Sequence, residues 1–157
     1  SIENREEEKI EKEKKNKKME AKVVWKQKLS FTGTASLGFE VPLGTKAAAG
    51  GDDDGFSPME LVLVGLAGCT AMDVISILQK KQQDVTGFEV RVLADRVEAH
   101  PRVFNHALVE YIVTGHAVDP TAVERAVELS TTRYCSASAM LSKAFPIEHK
   151  ITILEAY

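Results

Sequence analysis

The sequence predicts an α+β fold with the element order β-β-α-β-β-α-β. Three observations point there. Alternating apolar runs recur before, between and after two helical stretches. One stretch, residues 57–83, is apolar on every side at helical period, and Asp119-Pro120 opens a second, amphipathic helix.

The 157 residues fit one domain, preceded by a charged arm over residues 1–18 and occupying residues 19–157. With 44% hydrophobic and 27% charged residues and a net charge of −3, the balance is that of an ordinary globular chain. No basic face with interleaved aromatics is present, so nucleic acid is not an expected partner. The longest uncharged run, 61–72, is too short for a bilayer and holds two glycines, so no membrane partner is expected either. Two distant cysteines make neither a disulfide scaffold nor a zinc site. Without a visible signal peptide, a reducing cytoplasmic setting is the expectation.

Taken in order, the arm holds seven basic and six acidic side chains and only Ile2 and Ile10 as apolar anchors. Its Glu–Lys pairs at i,i+4 favour helix weakly, but it has little to bury. Met19 reads as a natural start, so the arm is expected to be an addition ahead of it, or a disordered tail. Val23, Val24, Trp25, Leu29 and Phe31 form a strand leading to a turn at Thr32-Gly33-Thr34, with a second strand near 35–41. The segment 43–55 is a Gly- and Ala-rich loop ending in Asp52-Asp53-Asp54, which lacks the ligand spacing of a calcium loop.

The central helix starts at Ser57-Pro58-Met59-Glu60, where Ser57 caps, Pro58 suits the first helical position and Glu60 completes a capping box. A long hairpin follows. Phe88, Val90, Val92 and Ala94 line one face of its first strand, and Phe104, Leu108, Tyr111 and Val113 mark the return. The second helix runs through Ala122, Val123, Ala126, Val127 and Leu129, breaks at Ser130-Thr131-Thr132 and resumes at Cys135. Ile147, His149, Ile151 and Ile153 share a face of the last strand. One sheet and one helix cannot cover an all-round apolar helix, so a second copy of the chain is the expected cover.

Two residues raise a chemical question. Free cysteine is most often a small buried hydrophobe. Yet Cys69 lies among Gly65, Ala67 and Gly68, which clear bulk for a close approach. With Thr132 as N-cap, Cys135 falls in a first helical turn, where the dipole favours a thiolate. His100, His106, His116 and His149 have no metal spacing, and no phosphate-binding turn or nucleophile elbow is present. No metal or cofactor is expected.

Ser57-Pro58-Met59-Glu60-Leu61, the Leu-Ala-Gly-Cys-Thr-Ala-Met run of 66–72 and a distant cysteine in a second helix resemble the OsmC/Ohr family. The closest resemblance is to its YhfA-like branch, through Asp-Val-Ile-Ser-Ile-Leu-Gln-Lys at 73–80, an Ala-Pro-Arg-Phe-like stretch near 99–104 and Arg-Tyr-Cys-Ser at 133–136. The resemblance covers about residues 20–155. It implies an intertwined homodimer, with central helices backed by antiparallel sheets and the cysteines near the interface. It also implies a thiol peroxidase with an antioxidant role in the oxidative stress response. Cys69 would be the peroxidatic cysteine, Cys135 the resolving one, an organic hydroperoxide the substrate and an external dithiol the reductant.

A peroxidatic thiolate needs nearby positive charge. In the family's peroxidases an arginine held by a glutamate supplies it. Here Met59 stands at the glutamate position, and no arginine occurs between Met19 and Asp73. Glu60 lies nine residues before Cys69, roughly the opposite helix face at about 100° per residue. Asp73 lies four residues after Cys69 on the same face, and the expectation is that it holds Arg96, Arg102 or Arg133 near the thiol. The competing expectation is a non-enzymatic dimer that binds or senses a small molecule at the interface cleft.

Overall fold

The computed structural model describes residues 2–16 and 18–157; Ser1 and Lys17 of the predicted arm lie outside them. The chain divides after Leu61 into two units. In the first, helix α1 (Ile2–Asn16) precedes a three-stranded antiparallel sheet of β1 (Ala21–Gln27), β2 (Ser30–Ala35) and β3 (Glu40–Leu43), in the order β1-β2-β3. Ile2 and Ile10 of α1 are exposed, as are Val23, Val24 and Trp25 of β1.

The turn between β1 and β2 falls at Lys28 and Leu29, not at residues 32–34. Lys28 takes a φ of 45°, and its carbonyl accepts the Trp25 indole N–H at 2.9 Å. Gly33 sits mid-strand, paired with both Val23 and Val41. A Cβ there would come within 2.9 Å of Leu43 Cδ1 and 3.0 Å of Val41 Cγ1, so this glycine serves close packing rather than turning. The single strand expected near 35–41 is therefore the end of β2 and the start of β3. In the following loop every aspartate has a partner. Lys28 reaches Asp52 at 3.0 Å, Ser30 donates to Asp54 at 2.6 Å, and Asp53 accepts the Ala47 N–H at 3.1 Å.

Helix α2 (Pro58–Lys80) runs out of the first unit into the second without a break at either glycine. The second unit adds β4 (Asp84–Arg96), β5 (Phe104–His116), α3 (Pro120–Leu129), a π turn over Ser130–Tyr134, α4 (Ser136–Leu141) and β6 (Ile147–Glu155). Its sheet has the order β4-β5-β6. The β4–β5 hairpin is antiparallel, whereas β6 lies parallel to β5, because α3 and α4 return the chain to the same end before it re-enters the sheet. The sheet is thus mixed rather than antiparallel throughout.

A register shift between Asp95 and Arg96 pairs Phe104 with Arg96 but His106 with Asp95. Across it the buried set of β5 changes parity, from Phe104 to Ala107, Val109, Tyr111 and Val113, leaving Leu108 off the core face. The core joins Leu66, Val74 and Leu78 of α2 to Val109, Tyr111 and Val113 of β5 and to Ala122, Val123, Ala126 and Val127 of α3. Asp119 caps α3 by accepting the Thr121 N–H at 3.0 Å.

By length and composition α2 is sufficient to cross a membrane, which the uncharged run alone did not reveal, since the helix continues past Asp73. One face of it packs into the core of the second unit. Leu66, Thr70, Val74 and Leu78 form one wholly buried stripe, and Thr70 is hydrogen-bonded inside the unit. Val64 and Met72 remain 55% and 74% exposed, and a Cβ built on Gly65 or Gly68 meets nothing within 4 Å. The second unit therefore covers α2 on one side only.

Candidate functional site

Cys69 projects partly exposed from the middle of α2, and Cys135 is buried at the junction of the π turn and α4. Helix and turn bring Cys69 near enough to Cys135 to push the Cys135 thiol up. Both are free thiols. A hollow of about 130 Å³ opens over Cys135, with Thr131, Thr132, Arg133 and Tyr134 along its wall.

The local setting of Cys135 differs from the expected one. The break at Ser130–Thr132 is a π turn, and Thr132 caps nothing; its hydroxyl donates back to the Glu128 carbonyl at 2.6 Å. Cys135 itself is the N-cap of α4, in extended backbone at φ −75° and ψ 102°. Its sulfur accepts the Ser138 N–H at 3.3 Å, while its own N–H donates to the Ser130 carbonyl at 2.7 Å. Burial pushes the Cys135 thiol up; the Ser138 contacts pull it down in part, and the neighbouring Cys69 adds to the rise. Ser138 Oγ is buried beside the Cys135 sulfur, whose pKa it helps to lower, without a hydrogen bond of good geometry among the described residues.

Asp73 meets a hydroxyl rather than an arginine. Ser130 Oγ donates to Asp73 Oδ2 at 2.9 Å, and no ion pair involves Asp73 among the described residues. Arg96 is occupied elsewhere: its Nε donates to the Arg102 carbonyl at 2.9 Å and its guanidinium lies 5.8 Å from the Phe104 ring centre. Arg133 lies over Tyr134 at 5.6 Å, and Arg102 is exposed. Glu60 sits in the first turn of α2, where its N–H donates to Ser57 Oγ at 3.4 Å, as a capping role requires. The arginine–carboxylate arrangement expected at Asp73 is therefore absent among the described residues, because Arg96 and Arg133 are held by their own neighbours and Arg102 is exposed.

Four residues that sequence reasoning did not single out for the site are hydrogen-bonded in one chain that starts next to Cys69 at Thr70. Thr70 Oγ1 bonds both Tyr111 OH at 2.9 Å and Ser130 Oγ at 2.8 Å, and Tyr111 OH bonds His149 Nδ1 at 3.2 Å. Thr70, Tyr111 and Ser130 are fully buried. Burial pushes the Tyr111 phenol up to about 12 against the pull of the Thr70 bond, with Cys135 and Asp73 adding smaller rises. Burial also holds His149 below the ordinary histidine range. The one signal available in sequence was a polar Thr70 inside the apolar run; its partners lie 41 and 60 residues away.

The model of the OsmC-like protein family matches residues 51–150, which include both cysteines. The chain belongs to this family. Protein YhfA of Escherichia coli strain K12 is 41% identical to this OsmC-like chain over 138 residues, spanning 88% of it and 100% of YhfA. The crystal structure of a hypothetical protein from Aquifex aeolicus VF5 is 28% identical with a TM-score of 0.78, covering 90% of this chain and 99% of that one. An organic hydroperoxide resistance protein OsmC from Legionella pneumophila shares the fold at 12% identity and a TM-score of 0.63, over 86% of this chain and 96% of that one.

Proposed function

We infer that this OsmC-like chain is a two-cysteine protein that reduces organic hydroperoxides. The observation that carries the reading is that Cys69 of α2 acts on the Cys135 thiol at the head of α4, both in one unit. The Cys69 thiolate attacks the terminal peroxide oxygen, the O–O bond breaks, and the alkoxide leaves to take a proton as the alcohol. Cys69 is then a sulfenic acid. The Cys135 thiol condenses with it, forming the disulfide and releasing water, and an external dithiol restores both thiols. The name of the Legionella relative agrees with this substrate class. Residues 19–157 are the working domain in this reading, in a reducing cytoplasm, and a second copy covers the open side of α2.

A second reading is favoured by a specific observation: among the described residues no arginine pairs with Asp73, Arg133 turns to Tyr134, and Cys135 is pushed up rather than down. On that reading the pair belongs to a dimer that binds or senses a small molecule. Stopped-flow mixing with cumene hydroperoxide, followed by mass analysis of the cysteines, separates the two. A Cys69–Cys135 disulfide formed within one turnover supports the peroxidase. Retention of both free thiols, with alkylation of Cys69 following an ordinary thiol pH profile, sinks it.

A further inference from the structure

The hydrogen bonds around Thr70 can be given a direction. An ionised carboxylate only accepts, so Ser130 must spend its single hydroxyl proton on Asp73. Ser130 then accepts from Thr70, and Thr70, its proton spent, accepts from Tyr111. The Tyr111 phenol has no second proton, so its contact with His149 is completed only by an N–H on His149 Nδ1. The chain of donors therefore runs one way, from His149 through Tyr111, Thr70 and Ser130 to Asp73. It begins at a histidine that is part-buried yet open to solvent, passes through three fully buried hydroxyls and ends one helical turn from Cys69.

We propose that this chain is a proton relay that delivers a solvent proton to Asp73 for the oxygen leaving at Cys69. The proposal rests on the peroxidase reading above. When a proton arrives at Nε2 of His149, Nδ1 releases its own to Tyr111, and each hydroxyl passes one proton inward until Asp73 is the protonated acid. Asp73 gives that proton to the departing alkoxide and returns to carboxylate. The balance is one solvent proton consumed per alkoxide released, with no change of oxidation state along the relay. Because all three hydroxyls already point inward, delivery requires no prior rotation. His149, Tyr111, Thr70 and Ser130 are positioning and relay residues; Asp73 is the terminal acid. A nearby acid also supplies what an unpaired carboxylate beside a thiolate would otherwise lack, a productive use of its position.

The test has two arms on the full chain. The first is 15N NMR of His149, assigned by comparison with His149→Gln. The relay requires the Nδ1–H tautomer in the wild type and loss of that tautomer in Tyr111→Phe. An Nε2–H tautomer in the wild type overturns it. The second is single-turnover oxidation by cumene hydroperoxide in H2O and D2O. General acid delivery is worth roughly 10²-fold or more, so Thr70→Val should slow the turnover by at least about tenfold and abolish the solvent isotope effect. Thr70→Ser, which keeps the hydroxyl, should restore both. Equal rates and isotope effects in wild type and a folded Thr70→Val variant overturn the relay and leave the peroxidase standing. A wild type that forms no disulfide overturns both.

Discussion

The sulfur of Cys135 caps the helix that Cys135 precedes, accepting the Ser138 N–H at 3.3 Å. The same atom is thus both a structural acceptor and the thiol that Cys69 pushes up. Replacing it by alanine removes the cap, which costs about 1 kcal/mol, whereas Cys135→Ser keeps an acceptor. Urea unfolding should rank wild type and Cys135→Ser above Cys135→Ala, although neither variant can form the Cys69–Cys135 disulfide.

Ser138 supplies a second expectation. Its hydroxyl is buried beside the Cys135 sulfur and lowers the pKa of that thiol, which in the proposed cycle gains charge when the disulfide is cleaved. Ser138→Ala should make Cys135 a poorer thiolate leaving group. Reduction of the oxidised protein by dithiothreitol should slow, with the alkylation profile of Cys135 moving to higher pH. An unchanged reduction rate would mean that the hydroxyl does not assist the thiolate.

Alkaline pH tests the burial of Tyr111. Its folded pKa is about 12 against an ordinary 10, so between these values the folded state holds a proton the unfolded state has released. Stability is therefore fully present below pH 10 and falls as pH rises toward 12, by on the order of 2 kcal/mol. Tyr111→Phe should flatten that part of the stability curve. A slope identical to wild type by denaturant titration at pH 9, 10 and 11 would contradict it.

Within the core, Leu66→Ala empties a fully buried position facing β5 and α3, and should cost about 2 to 5 kcal/mol in chemical denaturation. Met72→Ala, on the exposed side of the same helix, should change single-chain stability by less than about 1 kcal/mol.

Gly65 bears on the second copy proposed for the open side of α2. In one chain a Cβ there meets nothing, so Gly65→Ala should stabilise the helix by about 1 kcal/mol. Where another copy packs closely on that side, the same substitution weakens association. Sedimentation velocity at micromolar concentration should show a dimer for the wild type and a shift toward monomer for Gly65→Leu. A folded wild-type monomer would reject the dimer.

What the sequence made legible was whatever repeats at short range. The alternation in β4, the cap at Asp119 and the apolar length of α2 are all local patterns, and the structure bears them out. The turn at Lys28 was missed because a lysine at φ 45° has no compositional signature, while Gly33 imitates one. At the site, the two cysteines stood out by scarcity and by resemblance. Thr70, Tyr111, Ser130 and His149 did not, because each is ordinary in its own neighbourhood and gains meaning only from partners brought together by the sheet and helices. Asp73 was noticed for its charge, but its partner is a serine from the π turn rather than a cation.

The parallel pairing of β6 with β5 imposes an order on assembly. The β4–β5 hairpin closes on neighbours in sequence, whereas β6 joins Ala107 to Ile147 and Gly115 to Glu155, far along the chain. Closing that longer loop is entropically the later event, after α3 and α4 have been laid down. Both cysteines and the buried hydroxyls precede β6 in the chain, and His149 arrives with it. A half-assembled unit would hold both thiols before His149 is in place, so on the relay proposed above the last strand to dock is also the one that completes the path for protons.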